Sequence, residues 1–385
     1  MLTKNIYFKN FSGKINSLKI KKDFKKSIKE NIDLLNTLNI NYKYNYKKSL
    51  IKKLKRFSNI NIIGMGGSIL GSEAIYDFLK NKIKKKVFFI NNLNVNNNFS
   101  RSKKKNLNLI ISKSGNTLET ISNANILIKK DDKNIFITEN KNSYLQNLAK
   151  KLKAEIIEHK NYIGGRYSVL SEVGMLPAEL MGLQEKKFKK LNILIKKKDF
   201  INNLTKNVSI ILNLIKKDKF TSVILNYDPL SENFFRWYQQ LVAESLGKKS
   251  KGILPVISNM PKDNHSLMQL YLDGPKKSFF TFFNVFDKKL INLKNNQILP
   301  THNYLKNKTI NKIVYAQKCA TENVFKNKRI PFRSFEILNR SEHSMGELFT
   351  FFILETILLG RALKINPFDQ PSVELIKKET KKILF

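Results

Sequence analysis

The stretch 112–117, Ser-Lys-Ser-Gly-Asn-Thr, places three hydroxyl side chains and a lysine directly after an apolar run. The residues that follow have helical spacing, so Ser112, Lys113, Ser114 and Thr117 are expected at the start of a helix. The first turn of a helix leaves backbone N–H groups without partners and carries a partial positive charge. Such a loop can hold a phosphate group.

The same residues could instead simply cap the helix. Ser, Thr and Asn are favoured at N-cap positions, and Glu119 could complete a capping box. The stretch alone leaves both interpretations open.

A second turn of similar character lies earlier in the chain. Gly64, Gly66 and Gly67 follow an apolar run, and Ser68 stands at the next helix start. Glycines allow the backbone to approach a ligand closely. The dinucleotide-binding fingerprint is not met, because it requires a glycine where Ile69 stands. Two anion-compatible turns favour a phosphate site more than one does.

Short β-branched or aromatic runs alternate with longer segments of helical spacing. The predicted strands are 59–65, 86–92, 107–114, 134–140, 222–227, 252–258, 279–285 and 332–338. The predicted helices are 68–83, 117–130, 143–153, 232–247, 264–272, 307–325, 344–364 and 372–384. This alternation predicts an α/β fold of two similar αβα halves, each a mostly parallel sheet flanked by helices. Such sheets bind ligands beyond the carboxyl ends of their strands, where both polar turns are expected.

Four segments are predicted along the chain: an N-terminal helical extension (1–50), a first domain (51–190), a second domain (191–365) and a C-terminal helix (366–385). No linker rich in Pro, Gly or Ser separates the two domains, so they are expected to pack together with a shared cleft. The most apolar run, Leu348 to Gly360, is too short for a membrane span and contains Glu355. It predicts a buried helix.

The formal net charge of +41 would usually suggest nucleic-acid binding. Here the charge is diffuse, and only eight of the 71 basic residues are arginine, the side chain favoured for bidentate recognition of bases and phosphates. We expect neither nucleic acid nor membrane as a partner. A compositional bias toward Lys, Asn and Ile at exposed positions is the hypothesis we favour.

Cys319 is the single cysteine, which excludes an intramolecular disulfide framework and suits a reducing compartment. The N-terminal segment has no apolar stretch followed by a cleavage site, so a cytoplasmic location is expected. The four histidines form no cluster at ligand spacing, and neither a metal nor a cofactor is expected.

Six motifs occur together in one order. The stretches 64–68 (GMGGS) and 112–120 (SKSGNTLET) resemble the sugar-isomerase domain, and four more narrow the resemblance to glucose-6-phosphate isomerases. These four are GGRYSVLSEVG (164–174), QQLVAESLGK (239–248), DNHSLMQL (263–270) and NPFDQPSVELIK (366–377). The resemblance implies two sugar-isomerase domains, a sugar phosphate substrate, and aldose–ketose isomerisation of glucose 6-phosphate to fructose 6-phosphate through a cis-enediol.

The resemblance also implies roles for catalytic residues. Glu244 would be the base that moves the carbon-bound proton, and Arg166 would stabilise the enediolate. His265 and Lys377 would act at the ring oxygen during ring opening. Taken without their motifs, the commoner fates of these residue types are a solvated glutamate, a surface ion pair, a structural histidine and an exposed lysine.

The remaining implied contacts bind the substrate. Ser112, Ser114 and Thr117, with Lys113 between them, would hold the phosphate. Gly67, Ser68 and Gln370 would contact the sugar. His265 would serve the neighbouring subunit, so a homodimer with shared active sites is expected.

Two other functions compete with this interpretation. A non-catalytic sugar-phosphate sensor would lack the four catalytic residues and would usually carry a helix-turn-helix. A basic nucleic-acid-binding protein would cluster its charge on one face together with aromatic residues.

Overall fold

The computed structural model describes residues 1–13, 15–30, 32–93, 106–287 and 290–384. Two five-stranded sheets form the frame of this part of the chain. The strands are β1 (Ile6–Lys9), β2 (Asn59–Gly64), β3 (Lys86–Ile90), β4 (Leu107–Ile111), β5 (Lys133–Thr138), β6 (Glu155–Glu158), β7 (Thr221–Asn226), β8 (Leu254–Asn259), β9 (Ser278–Val285) and β10 (Phe332–Ile337).

The helices flank and join the sheets. They are α1 (Leu18–Lys29), α2 (Lys48–Leu54), α3 (Leu70–Phe78), α4 (Leu118–Leu127), α5 (Tyr144–Lys151), α6 (Glu172–Leu180), α7 (Leu191–Leu194), α8 (Lys198–Lys216), α9 (Glu232–Leu246), α10 (Met268–Asp273), α11 (Ile310–Asn327), α12 (Glu342–Ala362) and α13 (Val373–Leu384). Three short 3-10 helices matter for the site, namely Asp33–Leu38, Gly66–Ser68 and Gly165–Leu170.

The first sheet has the order β3-β2-β4-β5-β6, with every pair parallel. Strand β4 is buried at all five positions, as expected of a central parallel strand covered on both faces. The strand order reverses between β2 and β4. The glycine turn and the hydroxyl-rich stretch therefore leave the carboxyl ends of neighbouring strands, at the point where such sheets bind ligands.

The second sheet has the order β1-β10-β9-β7-β8. Strands β8, β7, β9 and β10 pair in parallel and repeat the order of the first four strands of the first sheet. Strand β1 joins the free edge of β10 in antiparallel orientation. The two halves thus share one winding, and the predicted fold class is confirmed.

The two halves share a continuous apolar core. Helix α3 of the first half packs against α9 of the second, and buried side chains from both halves belong to one cluster. Helix α12 is buried over most of its length, as the apolar run 348–360 predicts, and its Glu355 pairs with the fully buried Arg333. Within the described residues, no helix is both long and apolar enough to cross a membrane.

All eight predicted strands are present, within about two residues at most ends. Strands β1 and β6 escape prediction because each has only four residues, two of them exposed, and lies at a sheet edge. Strand β1 also lies inside the segment 1–50, for which only helix was expected. The domain boundaries stay a prediction; apart from β1, the strands of the two sheets lie within 51–190 and 191–365 respectively.

Candidate active site at the edge of the first sheet

The hydroxyl-rich stretch forms a tight turn between β4 and α4. The hydroxyls of Ser112 and Thr117 lie 2.9 Å apart in a hydrogen bond, and the backbone N–H of Gly115 donates to Ser112 Oγ at 3.2 Å. Gly115 has a φ of +68°, which favours glycine. Thr117 is the N-cap of α4, yet its side chain makes no cap hydrogen bond. The geometry therefore disfavours simple capping and leaves the first-turn N–H groups open to an anion.

Ser114 and Lys113 differ in their freedom to bind a ligand. Ser114 is half-buried, and its hydroxyl accepts only from the backbone of Asn116, at 3.2 Å. Lys113 extends away toward β5 and β6, where its Nζ donates to Asn161 O at 2.8 Å and lies 3.6 Å from Glu139. Burial lowers the pKa of Lys113. Its side chain is thus already engaged, and its backbone is the part nearest the hydroxyls.

The glycine turn after β2 touches two other segments of the site. A Cβ added to Gly67 would lie 2.1 Å from the carbonyl carbon of Gly165, so only glycine permits this approach. Gly66 has a φ of +52°, and a Cβ there would lie 2.8 Å from Gln240 Nε2. The hydroxyl of Ser68 makes no hydrogen bond within the described residues and is available to a ligand.

Arg166 lies at the centre of the contacts. Its side chain is 1% exposed, and its guanidinium makes five hydrogen bonds. Nε donates to Ser245 Oγ at 2.8 Å, Nη1 to Glu244 Oε2 at 3.2 Å and to Gln370 Oε1 at 2.6 Å. Nη2 donates to the carbonyls of Pro367 and Asp369 at 2.7 and 2.9 Å. Every N–H of the fork has an acceptor, so the charge is fixed in position.

Glu244 is the only one of these acceptors that is both charged and open to solvent. Its side chain is 25% exposed, and its second oxygen, Oε1, accepts from Gln240 Nε2 at 3.0 Å. Gln240 and Glu244 lie on one face of α9, one turn apart. The carboxylate is thus held by an amide on one side and a guanidinium on the other.

The sequence-based prediction missed the groups that orient these two side chains. Gln240 could have been found from its spacing, since it precedes Glu244 by four positions on a predicted helix. Ser245 accepts from Arg166 and shares a hydrogen bond with Tyr167 Oη at 2.9 Å. Trp237 Nε1 donates to the backbone oxygen of Arg166 at 3.1 Å. The last two contacts join distant segments, and no local spacing reveals them.

The structure brings together Gly67, Arg166, Glu244 and Gln370, but His265 and Lys377 lie elsewhere. His265 is exposed at the end of a short helical turn after β8, and its ring makes no hydrogen bond within the described residues. Lys377 lies on α13, which has no buried residue, and its Nζ pairs with Glu374 at 2.6 Å. In a single chain these two side chains do not reach the Arg166–Glu244 pair.

Glu73 lies on α3, the helix that follows the glycine turn. Its carboxyl accepts from Asn91 Nδ2 at 2.6 Å, with Asn91 just beyond β3. Burial, with a smaller contribution from Asp77 one turn further on, raises the pKa of Glu73 to about 7. The first sheet thus has a buried carboxyl near its ligand-facing edge without a cationic partner among the described residues.

The matching edge of the second sheet is filled with ion pairs. Asp228 follows β7 and Asp287 follows β9, and Arg340 bridges them. Its Nη2 lies 2.7 Å from Asp228 Oδ1 and its Nε 2.7 Å from Asp287 Oδ1. These two carboxylates raise the pKa of the Arg340 guanidinium against the effect of burial. No turn of small hydroxyl residues leaves β7 or β9.

Comparison with solved structures places this chain in a class of proteins that share a fold of two similar α/β halves. A hypothetical protein of Thermus thermophilus aligns with a TM-score of 0.81 at 22% identity, covering 96% of this chain and 94% of that one. A glucose-6-phosphate isomerase of Chlamydia trachomatis aligns with a TM-score of 0.72 at 19% identity, covering 87% of this chain and 71% of that one.

The sequence identifies the family within that class. The phosphoglucose isomerase family model matches residues 22–259. A glucose-6-phosphate isomerase of Methanocaldococcus jannaschii is 33% identical, over 85% of this chain and 84% of the relative. A glucose-6-phosphate isomerase of Campylobacter jejuni is 30% identical, over 85% of both chains. This chain belongs to the phosphoglucose isomerase family.

Proposed function

We propose that this chain is a glucose-6-phosphate isomerase, as its relatives are named, and that it interconverts glucose 6-phosphate and fructose 6-phosphate. The observation that carries the proposal is the Arg166–Glu244 pair, in which a partly exposed carboxylate lies 3.2 Å from a buried guanidinium whose N–H groups all have acceptors. A carboxylate suits proton transfer between neighbouring carbons, and a fixed cation suits the charge that develops on the adjacent oxygens.

In the proposed reaction Glu244 removes the proton from C2 of the open-chain aldose. The C–H electrons form the carbon–carbon double bond of a cis-enediol, and negative charge develops on the oxygens. The hydroxyl proton of O2 passes to O1, and Glu244 returns the carbon-bound proton to C1, which gives the ketose, so no atom is gained or lost. Arg166, whose Nη1 donates to Glu244 and Gln370, would stabilise the developing charge through the fixed position of its guanidinium.

The phosphate would be bound at a distance from the reacting carbons. Ser112, Ser114 and Thr117 would donate to its oxygens together with the first-turn N–H groups of α4. Lys113 would contribute its backbone rather than its engaged side chain. Ser68, Gly67 and Gln370 would contact the sugar, and the binding energy would fix the carbons against Glu244.

Ring opening would require a second subunit. His265 and Lys377 are exposed and separate from Glu244 in the single chain, which supports a homodimer in which His265 serves the partner's site. An imidazole near neutral pH suits proton transfer between the ring oxygen and the anomeric hydroxyl. Lys377 would approach the same oxygen through movement of the tail that begins at Gln370.

The direct test is an assay that couples fructose 6-phosphate conversion to a visible product, run with a chelator present and without added metal. Turnover that depends on Glu244 supports the proposal. Absence of turnover by a folded, dimeric wild-type protein would contradict it. If a chelator abolished the activity, the proposed reaction would stand but the metal-free mechanism would be contradicted.

Site sharing is tested by mixing two inactive variants, Glu244→Gln and His265→Ala. A mixed dimer would carry both defects in one site and none in the other. Random exchange makes about half of the dimers mixed, so about a quarter of the wild-type rate should return if the sites are independent. Subunit exchange verified by mass, with no recovery of activity, would refute the shared site.

The cellular location and the partners of the protein are also part of the proposal. A single cysteine supports a cytoplasmic location. The diffuse lysine charge and scarce arginine support a small-molecule partner rather than nucleic acid or membrane. No cofactor is invoked, because the proton transfer needs only a base and a fixed cation.

A further inference from the structure

Lys189 is a buried lysine that the proposed mechanism does not use. It follows a 3-10 helix, Glu185–Phe188, and is 3% exposed. Its Nζ donates to the carbonyl oxygen of Thr37 at 2.5 Å and to that of Leu170. Thr37 belongs to the helical turn Asp33–Leu38, and Leu170 is the last residue of the turn Gly165–Leu170, which carries Arg166.

Two tyrosine rings enclose the amine. The Nζ of Lys189 lies 4.8 Å from the ring centroid of Tyr42 and 5.0 Å from that of Tyr44. A second amine, Lys160 Nζ, lies 4.1 Å from the ring centroid of Tyr42. Aromatic faces attract such cations, so the segment 37–44 is held against the amine on more than one side.

The same segment is also attached just beyond Leu170. Tyr42 Oη donates to Glu172 Oε2 at 2.9 Å, and the backbone N–H of Asn45 donates to Glu172 Oε1 at 3.0 Å. Glu172 is the first residue of α6 and is 1% exposed. Residues 37–45 therefore form a brace along the C-terminal end of the turn Gly165–Leu170, which carries Arg166.

The N-terminal end of the turn Gly165–Leu170 is fixed by other contacts. Gly165 packs on Gly67, Ser168 Oγ donates to the carbonyl of Gly67 at 3.2 Å, and Trp237 donates to the backbone of Arg166. Within the described residues, Lys189 is the one side chain that donates to the Leu170 carbonyl. Its loss would leave a buried carbonyl unpaired at one end of a segment that is otherwise rigid.

The protonation state of the amine is consistent with this contact. Burial lowers the pKa of Lys189 to about 7, against the attraction of Glu172 and Glu185. An uncharged amine has two N–H groups, which match the two carbonyls, and the ammonium form adds a third that can face the tyrosine rings. Both forms hold the Thr37 and Leu170 carbonyls together.

We propose that Lys189 is a positioning residue: by joining the Leu170 carbonyl to the brace 37–45, it holds the turn Gly165–Leu170 so that the Arg166 guanidinium faces Glu244. It does not touch the substrate. The effect falls on the transition state, because Arg166 acts on charge that appears only there.

The test compares Lys189→Met with Lys190→Met. Lys190 is also a buried lysine, but its Nζ contacts His343 Nδ1 on α12 at 2.5 Å, so it controls for the loss of a buried amine. Both variants are assayed with fructose 6-phosphate at a temperature at which circular dichroism shows them folded. We expect kcat to fall about tenfold or more in Lys189→Met, with KM within about twofold, since small misplacements of a catalytic group cost this much. Lys190→Met should keep kcat within about twofold.

Two results would overturn the inference: an unchanged kcat in Lys189→Met, whatever its KM, or equal losses of kcat in the two variants. If Lys189→Met does not fold, Lys189→Gln replaces it, because the shorter amide is polar but cannot span both carbonyls; a wild-type kcat in Lys189→Gln would refute the role. The inference rests on the proposed function, and the two fail differently. An inactive wild-type protein contradicts the function, whereas an active wild-type protein with an active Lys189→Met contradicts the positioning role.

Discussion

The two sheets of this protein share a winding but differ at their carboxyl edges. At the first, β2 and β4 are followed by turns of glycine, serine and threonine, whose side chains make no ion pair within the described part of the chain apart from that of Lys113. At the second, Asp228 and Asp287 follow β7 and β9, and Arg340 pairs with both. One edge is open to an anion and the other is closed by its own ion pairs. The same topology therefore provides two equivalent positions, and the loops decide which of them is a site.

The second half nevertheless contributes to the site on the first. Helix α9 packs along α3 and carries Glu244 to Arg166, and the tail after α12 brings Gln370. In the proposed reaction the first half binds the phosphate and the second half supplies the base. Substitutions in either half test this division.

The largest effect should come from Glu244→Gln. The amide keeps the shape and can still contact Arg166, but it cannot take up a proton, so kcat should fall about a thousandfold or more. Exchange of the substrate's C2 proton with solvent, followed by mass spectrometry, should cease for both cyclic and open-chain substrate. Residual exchange near the wild-type rate would show that another residue is the base.

Ser112→Ala should weaken binding instead of chemistry. Loss of a hydrogen bond to a charged phosphate should raise KM about tenfold, with kcat within about twofold. Ser334→Ala is the matched control, because this buried hydroxyl of β10 has no hydrogen-bond partner in the described structure. If both variants gave the wild-type KM, the phosphate would not be bound by the turn after β4.

Arg340→Met should affect stability and leave catalysis unchanged. Two carboxylates, Asp228 and Asp287, would lose their partner in a largely buried place, which costs about 3–5 kcal/mol of unfolding free energy. Urea denaturation measures this loss, and adding Asp228→Asn to the variant should restore part of it. A change in KM as large as that of Ser112→Ala would mean that the second edge also binds ligand.

Glu73→Gln should change how the stability of the protein depends on pH. The pKa of Glu73 is raised from 4.5 to about 7 in the folded protein, so the folded state binds more protons than the unfolded state between these values. Wild-type stability should therefore fall as pH rises from about 4.5 to 7. The variant should be more stable by up to about 3 kcal/mol at pH 8 and equal to wild type below pH 4.5. Melting temperatures at pH 4.5 and 8 that shift in parallel for both proteins would refute the raised pKa.

The sequence predicts what local patterns encode. Buried parallel strands such as β4 are continuous apolar runs, and glycines and hydroxyl residues indicate the turns after β2 and β4. Strands β1 and β6 lack such runs because they lie at edges. The contact of Gln240 with Glu244 could have been predicted from their spacing of four positions on a helix. Ser245, Trp237 and Lys189 contact the turn that carries Arg166 only through tertiary packing, which no local pattern predicts.

Motif resemblance assigned Arg166 and Glu244, 78 positions apart, to one active site, and no spacing rule predicts the contact between them. For His265 and Lys377, by contrast, the described structure of the single chain shows no contact with the Arg166–Glu244 pair. Their assigned roles come from resemblance alone, because an exposed histidine and an exposed lysine carry no packing signal. Their contribution stays a prediction until the assembled protein is tested.

Strand β1 has a consequence for how the chain is made. It pairs with β10, so about 330 residues must be synthesised between the first partner and the last. At about 5–20 residues per second this takes roughly half a minute, during which the apolar side chains of Ile6 and Phe8 cannot be buried in the second sheet. The first sheet is complete once residue 158 has emerged, well before the second can close. A nascent chain halted before β10 would have a complete first sheet and an incomplete second sheet, with the N-terminal segment exposed to chaperones.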